Sequence, residues 1–212
     1  MNGSEYDYWL LDLDGTLVDV EQSYIYDLFE DVGERLGTSF TNSEAEALWY
    51  GFGPERDVVL TEANIDKDLF WDVFHEVEDP HARAAATHLY DDAAEFVPTL
   101  EGPTGLVTHC QTFLTNPVLS ALDIDDWFDT VICCTDETGW KPDPRPVELA
   151  MGELGVARNG HTGVYVGDDP KDVQAAQNAG IDSIHVARRV PDRVSHSVRG
   201  DRQVSSLAEI GD

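Results

Sequence analysis

The sequence predicts a doubly wound α/β protein: a parallel sheet with helices on both faces, interrupted by an all-helical insertion. Three observations carry that prediction. Five short apolar runs are continuous rather than alternating, helix-like segments separate the last four of them, and a long helical stretch follows the first. Continuous runs of strand length suit strands buried on both faces, as in parallel sheets with crossover helices.

The five runs are Tyr8–Leu11, Gly105–Thr108, Thr130–Cys134, Gly163–Gly167 and Ser183–Ala187. Helices predicted at Asn116–Leu122, Pro144–Leu154 and Pro170–Ala179 alternate with the last four, which is a βαβ rhythm. Residues 19–98 read differently. Over Asp19–Leu36, the residues Val20, Tyr24, Ile25, Leu28, Phe29, Val32 and Leu36 make one stripe at helical spacing. Asp19 and Gln22 stand in capping-box register at its start. Further helices are expected at Ser43–Tyr50, Arg56–Glu62, Lys67–Glu76 and Ala82–Phe96, punctuated by Gly51, Gly53-Pro54, Pro80 and Pro98. The expected domains are therefore an α/β core of residues 1–18 and 99–212 and a helical domain of residues 19–98. Arg188-Arg189-Val190-Pro191 reads as an exit loop, and 203–210 as an edge strand leading into a short helix.

Composition excludes several classes. Among 212 residues, 42 acids face 13 bases, for a net charge of −29. Asp outnumbers Glu 26 to 16, and only three lysines occur, Lys67, Lys141 and Lys171. No basic stripe is available for a phosphate backbone, so nucleic-acid binding is not expected. The acids are spread along the chain rather than gathered in a tail. This resembles the composition of proteins from extreme halophiles, where concentrated salt screens a dense carboxylate surface. No run approaches the roughly 20 apolar residues of a membrane span. The first residues lack the basic and apolar segments of a signal peptide, so a cytoplasmic protein without membrane association is expected. Cys110, Cys133 and Cys134 have neither metal-ligand spacing nor a pairing framework and read as buried thiols.

Ligands of open α/β sheets sit beyond the carboxyl ends of the strands, and four unusual groups fall there. In WLLDLDGTLVD, Asp12 and Asp14 lie two residues apart and can face one pocket. Gly15 permits a tight turn with exposed N–H groups, and Thr16 can brace it. Paired carboxylates can hold a divalent cation, or one can attack while the other moves a proton. At the end of the second run, the Thr108 hydroxyl can donate to a phosphoryl oxygen, with His109 following it. In GWKPDP, Lys141 lies in a loop before a helix that Asp143 caps and Pro144 opens, where an ammonium can neutralise an anionic substrate. In VGDDPKD, Asp169 caps a helix and Asp172 lies in its first turn, which leaves Asp168 as a candidate metal ligand that Asp172 can steady.

Taken in order, DLDGTLVD, the Thr108 strand, GWKPDP and GDDPKD resemble the four motifs of the haloacid dehalogenase (HAD) superfamily of hydrolases, across nearly the whole chain. In detail the chain is most similar to phosphoglycolate phosphatases and their relatives. The resemblance implies a Rossmann-like core with a helical cap of the C1 type. It implies that Asp12 attacks phosphorus to form an aspartyl-phosphate, and that Asp14 serves as acid and then as base. It implies Mg²⁺ held by Asp12, the Asp14 carbonyl and Asp168, with Thr108, Lys141 and the Gly15 turn on the phosphoryl oxygens. The partner is then a small phosphate ester, phosphoglycolate-like or a sugar phosphate. The residue after the motif threonine is often Asn in the family and is His109 here, placed either to alter phosphate or leaving-group contacts or simply to fill the space. In the cap, Arg56 of the GFGPER loop is a candidate for a second anionic group on the substrate, or a solvated arginine at a helix start.

Asp14 separates branches of the superfamily: dehalogenases carry no acid at the matching position, because a halide needs no proton. A sugar-phosphate mutase of the β-phosphoglucomutase type keeps both acids and stays open. A receiver-type phosphoacceptor module gathers similar groups around Mg²⁺ but is shorter, lacks DxDGT and has no helical insertion. The motifs leave open whether the chain is a monomer or a homodimer. The charge makes one prediction of its own. The thermal midpoint should rise as KCl goes from about 0.1 M to above about 1 M, where the screening length falls from roughly 10 to 3 Å; a midpoint indifferent to KCl would count against a salt-adapted surface.

Overall fold

A six-stranded, wholly parallel sheet organises the α/β part of the protein, in the order β5-β4-β1-β6-β7-β8. The strands are β1 (Tyr8–Leu11), β4 (Thr104–Thr108), β5 (Thr130–Cys133), β6 (Gly163–Gly167), β7 (Asp182–Val186) and β8 (Arg202–Val204), while β2 (Val18–Val20) and β3 (Thr87–Leu89) form a separate ribbon. The structure is a computed structural model that describes residues 6–51, 53–157, 160–188 and 200–210. The chain divides into two compact units, Met1–Asp19 with Leu89–Asp212, and Val20–His88.

Register places the site. Leu11 at the end of β1 lies opposite Leu106 of β4 and Val166 of β6, so Asp12, Thr108 and Asp168 all fall at one edge of the sheet. Helices α8 (Arg145–Glu153) and α9 (Pro170–Ala179) cover one face, where Val147, Ala150, Ala175 and Ala176 pack on Tyr8, Leu10, Val107, Ile132 and Tyr165. Helices α6 (Asp91–Phe96) and α7 (Thr112–Leu122) take the other face. There Phe96 stands edge-on to Trp9 at 5.6 Å between ring centroids, and Cys133 Sγ meets Thr115 Oγ1 at 3.5 Å. At Gly163 a Cβ would lie 1.9 Å from the buried Tyr8 ring, so only glycine lets β6 pass that ring.

The Val20–His88 unit holds five helices: α1 (Gln22–Leu36), α2 (Asn42–Tyr50), α3 (Gly53–Glu62), α4 (Lys67–Val77) and α5 (Pro80–Ala86). The predicted stripe of α1 forms its core, with Ile25, Leu28, Phe29 and Val32 packed on Ala45, Leu48, Val59, Leu60, Phe70 and Phe74. Thr41 and Glu44 form a complete capping box on α2, and the Asp66 and Asp79 side chains cap α4 and α5. Each such cap stabilises its helix by about 1 kcal/mol.

Two expectations are corrected here. Asp19 does not open the first helix: Val18-Asp19-Val20 is extended as β2, Glu21 takes the N-cap position without a side-chain bond, and the Asp19–Gln22 box does not form. Val18 and Val20 are both buried while Asp19 is half-buried, an alternation that favours the strand. The helix expected at Ala82–Phe96 is broken by β3. Thr87 Oγ1 donates to the Arg83 carbonyl at 2.7 Å, supplying locally the partner that another helical turn would have provided. The second compact unit ends at His88, and α6 packs through Phe96 on Trp9 of the sheet. Of the expected exit loop, Arg189, Val190 and Pro191 lie outside the described residues, as does Phe52 of the GFGPER loop. Among the described residues, no helix is long and apolar enough to cross a membrane.

Candidate active site

At the carboxyl edge of the sheet, one ammonium group holds two carboxylates. Lys141 is 4 % exposed, and its Nζ lies 2.8 Å from Asp12 Oδ1 and 2.7 Å from Asp172 Oδ1. It also reaches the Tyr165 hydroxyl at 2.9 Å and the Val107 carbonyl at 3.3 Å. An ammonium has three hydrogens, so these partners saturate it. Tyr165 accepts from Lys141 and donates its own hydrogen to the Val107 carbonyl at 2.6 Å.

Local sequence explains how each group arrives. Pro144 already has helical dihedrals ahead of α8, and Asp143 Oδ1 accepts from Arg145 N at 2.9 Å, which fixes the loop carrying Lys141. Asp169 caps α9 by accepting from Lys171 N at 2.8 Å, while Asp172 Oδ2 accepts from Asp169 N at 3.0 Å. That reciprocal box turns the other Asp172 oxygen to Lys141. Asp172 thus meets the lysine, beside the expectation that it would hold Asp168 or a metal-bound water. Gly15 has φ +82°, and a Cβ there would fall 2.3 Å from Asp168 Oδ2. Its glycine is needed both for the left-handed turn and for Asp168 to lie against it. The Gly15 N–H is engaged by the Val18 carbonyl at 2.9 Å, so its part in the site is one of shape. Thr16 Oγ1 donates to Asp168 Oδ1 at 3.3 Å. The Asp168 carbonyl accepts from His185 Nε2 at 2.9 Å, which places that ring's proton on Nε2.

The other expected residues are placed as follows. Asp14 is half-buried in the turn and forms a β-bridge with Val18. Thr108 is buried and accepts from Cys110 N at 3.0 Å through Oγ1. His109 packs on Trp140 with ring centroids 5.7 Å apart, and Trp140 Nε1 donates to Asp136 at 2.9 Å. Arg56 is held within the helical unit, donating to the Trp49 carbonyl at 2.8 Å with its guanidinium 5.6 Å from the centre of the Trp71 ring. Tyr165, which contacts Lys141 directly, has no place among the residues the sequence singles out. It sat inside the apolar run GVYVG, where its hydroxyl, unlike its neighbours' side chains, could have marked it.

Oxygens of Asp12, Asp168 and Asp172 lie within 4.8 Å of one another. Three carboxylates, Asp12 and Asp172 buried and Asp168 half-buried, share one ammonium. Burial pushes the Asp12 carboxyl up, and Asp172 adds to this while Lys141 opposes it. Asp168 is driven well up by burial and by the charges of Asp12 and Asp172. Burial disfavours the charged form of Lys141, but Asp12 and Asp172 outweigh it and hold the ammonium firmly protonated. A divalent cation fits this donor set: its ligands are hard oxygens, and its charge offsets the mutual repulsion of the carboxylates.

Residues 9–186 match the family model of haloacid dehalogenase-like hydrolases. The chain belongs to that family. It is an enzyme, a phosphatase-type hydrolase of the HAD group. It is 30 % identical to the pyrophosphatase PpaX of Oceanobacillus iheyensis, an alignment covering 86 % of this chain and 84 % of the relative. It is 29 % identical to a phosphoglycolate phosphatase of Photorhabdus laumondii, over 80 % of this chain and 75 % of that one. A haloacid dehalogenase-like family protein of Streptococcus pneumoniae shares the fold at a TM-score of 0.75 and 16 % identity, covering 97 % of this chain and 96 % of that one.

The saturated lysine makes a prediction. Tyr165→Phe removes one acceptor from Lys141 and the donor to the Val107 carbonyl, and should lower unfolding stability by roughly 1–3 kcal/mol in urea titrations. An unchanged midpoint would contradict this hydrogen-bond assignment.

Proposed function

We propose that the protein is a Mg²⁺-dependent phosphatase acting on a small phosphate monoester, with Asp12 as nucleophile. The observation that carries this reading is the 2.8 Å contact between Lys141 and Asp12 Oδ1, at the sheet edge where Asp168 also arrives. Lys141 keeps Asp12 oriented and offsets its charge, so that an anionic carboxylate can face an anionic phosphate.

In the first step, an Asp12 oxygen bonds to phosphorus, the ester P–O bond breaks, and its electron pair leaves on the alkoxide, which Asp14 protonates. In the second, Asp14 removes a proton from water, the water oxygen bonds to phosphorus, and the bond to Asp12 breaks to release inorganic phosphate. Thr108 Oγ1, which accepts from Cys110 N, has its own hydrogen to give to a phosphoryl oxygen. The cation would be held by Asp12, Asp168 and the Asp14 carbonyl, and supplies positive charge against the phosphoryl oxygens. The phosphoglycolate phosphatase relative supports a small anionic ester as substrate. The pyrophosphatase relative, at 30 % identity, supports pyrophosphate as a second substrate to test.

Asp12→Asn should abolish turnover of phosphoglycolate, pyrophosphate and p-nitrophenyl phosphate while preserving the circular dichroism spectrum. Asp14→Asn should retain phosphoenzyme formation from the activated p-nitrophenyl ester better than from an alkyl ester, because p-nitrophenolate leaves without a proton. Turnover by Asp12→Asn above about a hundredth of wild type would overturn the nucleophile assignment, since loss of a covalent nucleophile removes far more.

A further inference from the structure

Arg188 follows the last residues of β7 and belongs to none of the four motifs, yet its side chain is engaged on every side. Its Nε and Nη2 donate to the Thr16 carbonyl at 3.2 and 3.0 Å. Its Nη1 and Nη2 grip Asp92 at 2.8 and 2.7 Å, a two-pronged contact. The guanidinium lies 4.0 Å from the centre of the Tyr90 ring, and both ion-pair partners are nearly buried, at 11 % and 14 % side-chain exposure. Asp92 in turn accepts from Ser206 Oγ at 2.6 Å and from Leu207 N at 2.8 Å.

Thr16 joins this cluster to the site. Its carbonyl accepts from Arg188, while its hydroxyl donates to Asp168 at 3.3 Å. The carbonyl and the side chain share the Thr16 Cα, so a contact that pins the carbonyl restrains the residue that carries the hydroxyl. We infer that Arg188 is a positioning residue: by fixing the Thr16 carbonyl it sets the Asp14-Gly15-Thr16 turn and aims the Thr16 hydroxyl at Asp168. The inference rests on the phosphatase reading for its kinetic consequence, but its effect on cation affinity follows from the Asp168 contact alone. A guanidinium is required because one planar fork meets a carboxylate and a carbonyl while lying over an aromatic face. A lysine ammonium cannot do all three.

The alternative is that Arg188 only staples the C-terminal segment through Asp92. The two roles separate experimentally. Arg188→Lys, Arg188→Ala and Asp92→Asn would be compared with wild type for thermal midpoint, for Mg²⁺ dissociation constant by calorimetry, and for kcat and KM on p-nitrophenyl phosphate. Arg188→Lys guards against an alanine variant that fails to fold. The positioning role predicts a Mg²⁺ dissociation constant and a kcat each worse by roughly 10–100-fold in the Arg188 variants, as when other groups that orient ligands are lost. KM should change little, and lysine should not rescue. Asp92→Asn should lower the midpoint with a smaller effect on Mg²⁺ affinity. An Arg188 variant with a native spectrum, a lowered midpoint and wild-type Mg²⁺ affinity would overturn the inference and leave the staple. Wild-type protein that binds Mg²⁺ but hydrolyses nothing would refute the phosphatase reading, while calorimetry would still decide the role of Arg188. Wild-type protein that binds no Mg²⁺ would overturn both.

Discussion

A single buried ammonium, Lys141, is the constraint around which the α/β unit is arranged. Asp12 from the end of β1, Asp172 from the first turn of α9 and Tyr165 from β6 all converge on it. Removing one partner of a buried pair typically costs about 3–5 kcal/mol, because the charge left behind stays out of water. The loop before α8 and the capping box of α9 therefore serve more than their own helices, since they keep the lysine and its carboxylates in contact. The same arrangement leaves Asp168 without a counter-charge of its own, so its surroundings disfavour the ionised carboxylate. A protein with so few basic groups has placed one of its three lysines at this point, where its charge is shielded from competing surface acids.

Most of this site was legible because its chemistry is tied to local signals. Asp12, Lys141 and Asp168 each follow an apolar run or precede a proline-opened helix, so strand ends and N-caps located them. The strands β1 and β6 and helix α9 coincide with their expected bounds. The ribbon of β2 and β3 was not legible, because three-residue strands carry too little periodicity to compete with the helical stripe beside them. Thr87 ended a helix through a side-chain bond to Arg83, which no composition signal announces. Tyr165 and Arg188 escaped for a common reason: each acts through a partner distant in the chain, at Val107 and Lys141 for one and at Thr16 and Asp92 for the other.

The helical unit uses its polar groups differently. Its core is unusually aromatic, with Phe29, Phe70 and Phe74 in mutual contact and Phe40, Trp49 and Trp71 against them. Arg56 and Arg83 both place guanidinium groups over tryptophan rings, at 5.6 Å from Trp71 and 4.8 Å from Trp49. In this structure those arginines brace helices, and Arg83 is buried to 1 % exposure. Such cation–π contacts contribute about 0.5–2 kcal/mol each, more where water is excluded.

The central claim is that the clustered carboxylates lack sufficient counter-charge until a divalent cation arrives. Thermal unfolding of wild type and Asp168→Asn, with and without Mg²⁺ at constant ionic strength, tests it most directly. Asparagine keeps an acceptor for Thr16 but removes the carboxyl whose ionisation the site disfavours. The metal-free variant should therefore unfold at a higher temperature than the metal-free wild type, and Mg²⁺ should raise the midpoint of wild type alone. A metal-free variant less stable than wild type, or a wild type indifferent to Mg²⁺, would contradict the account.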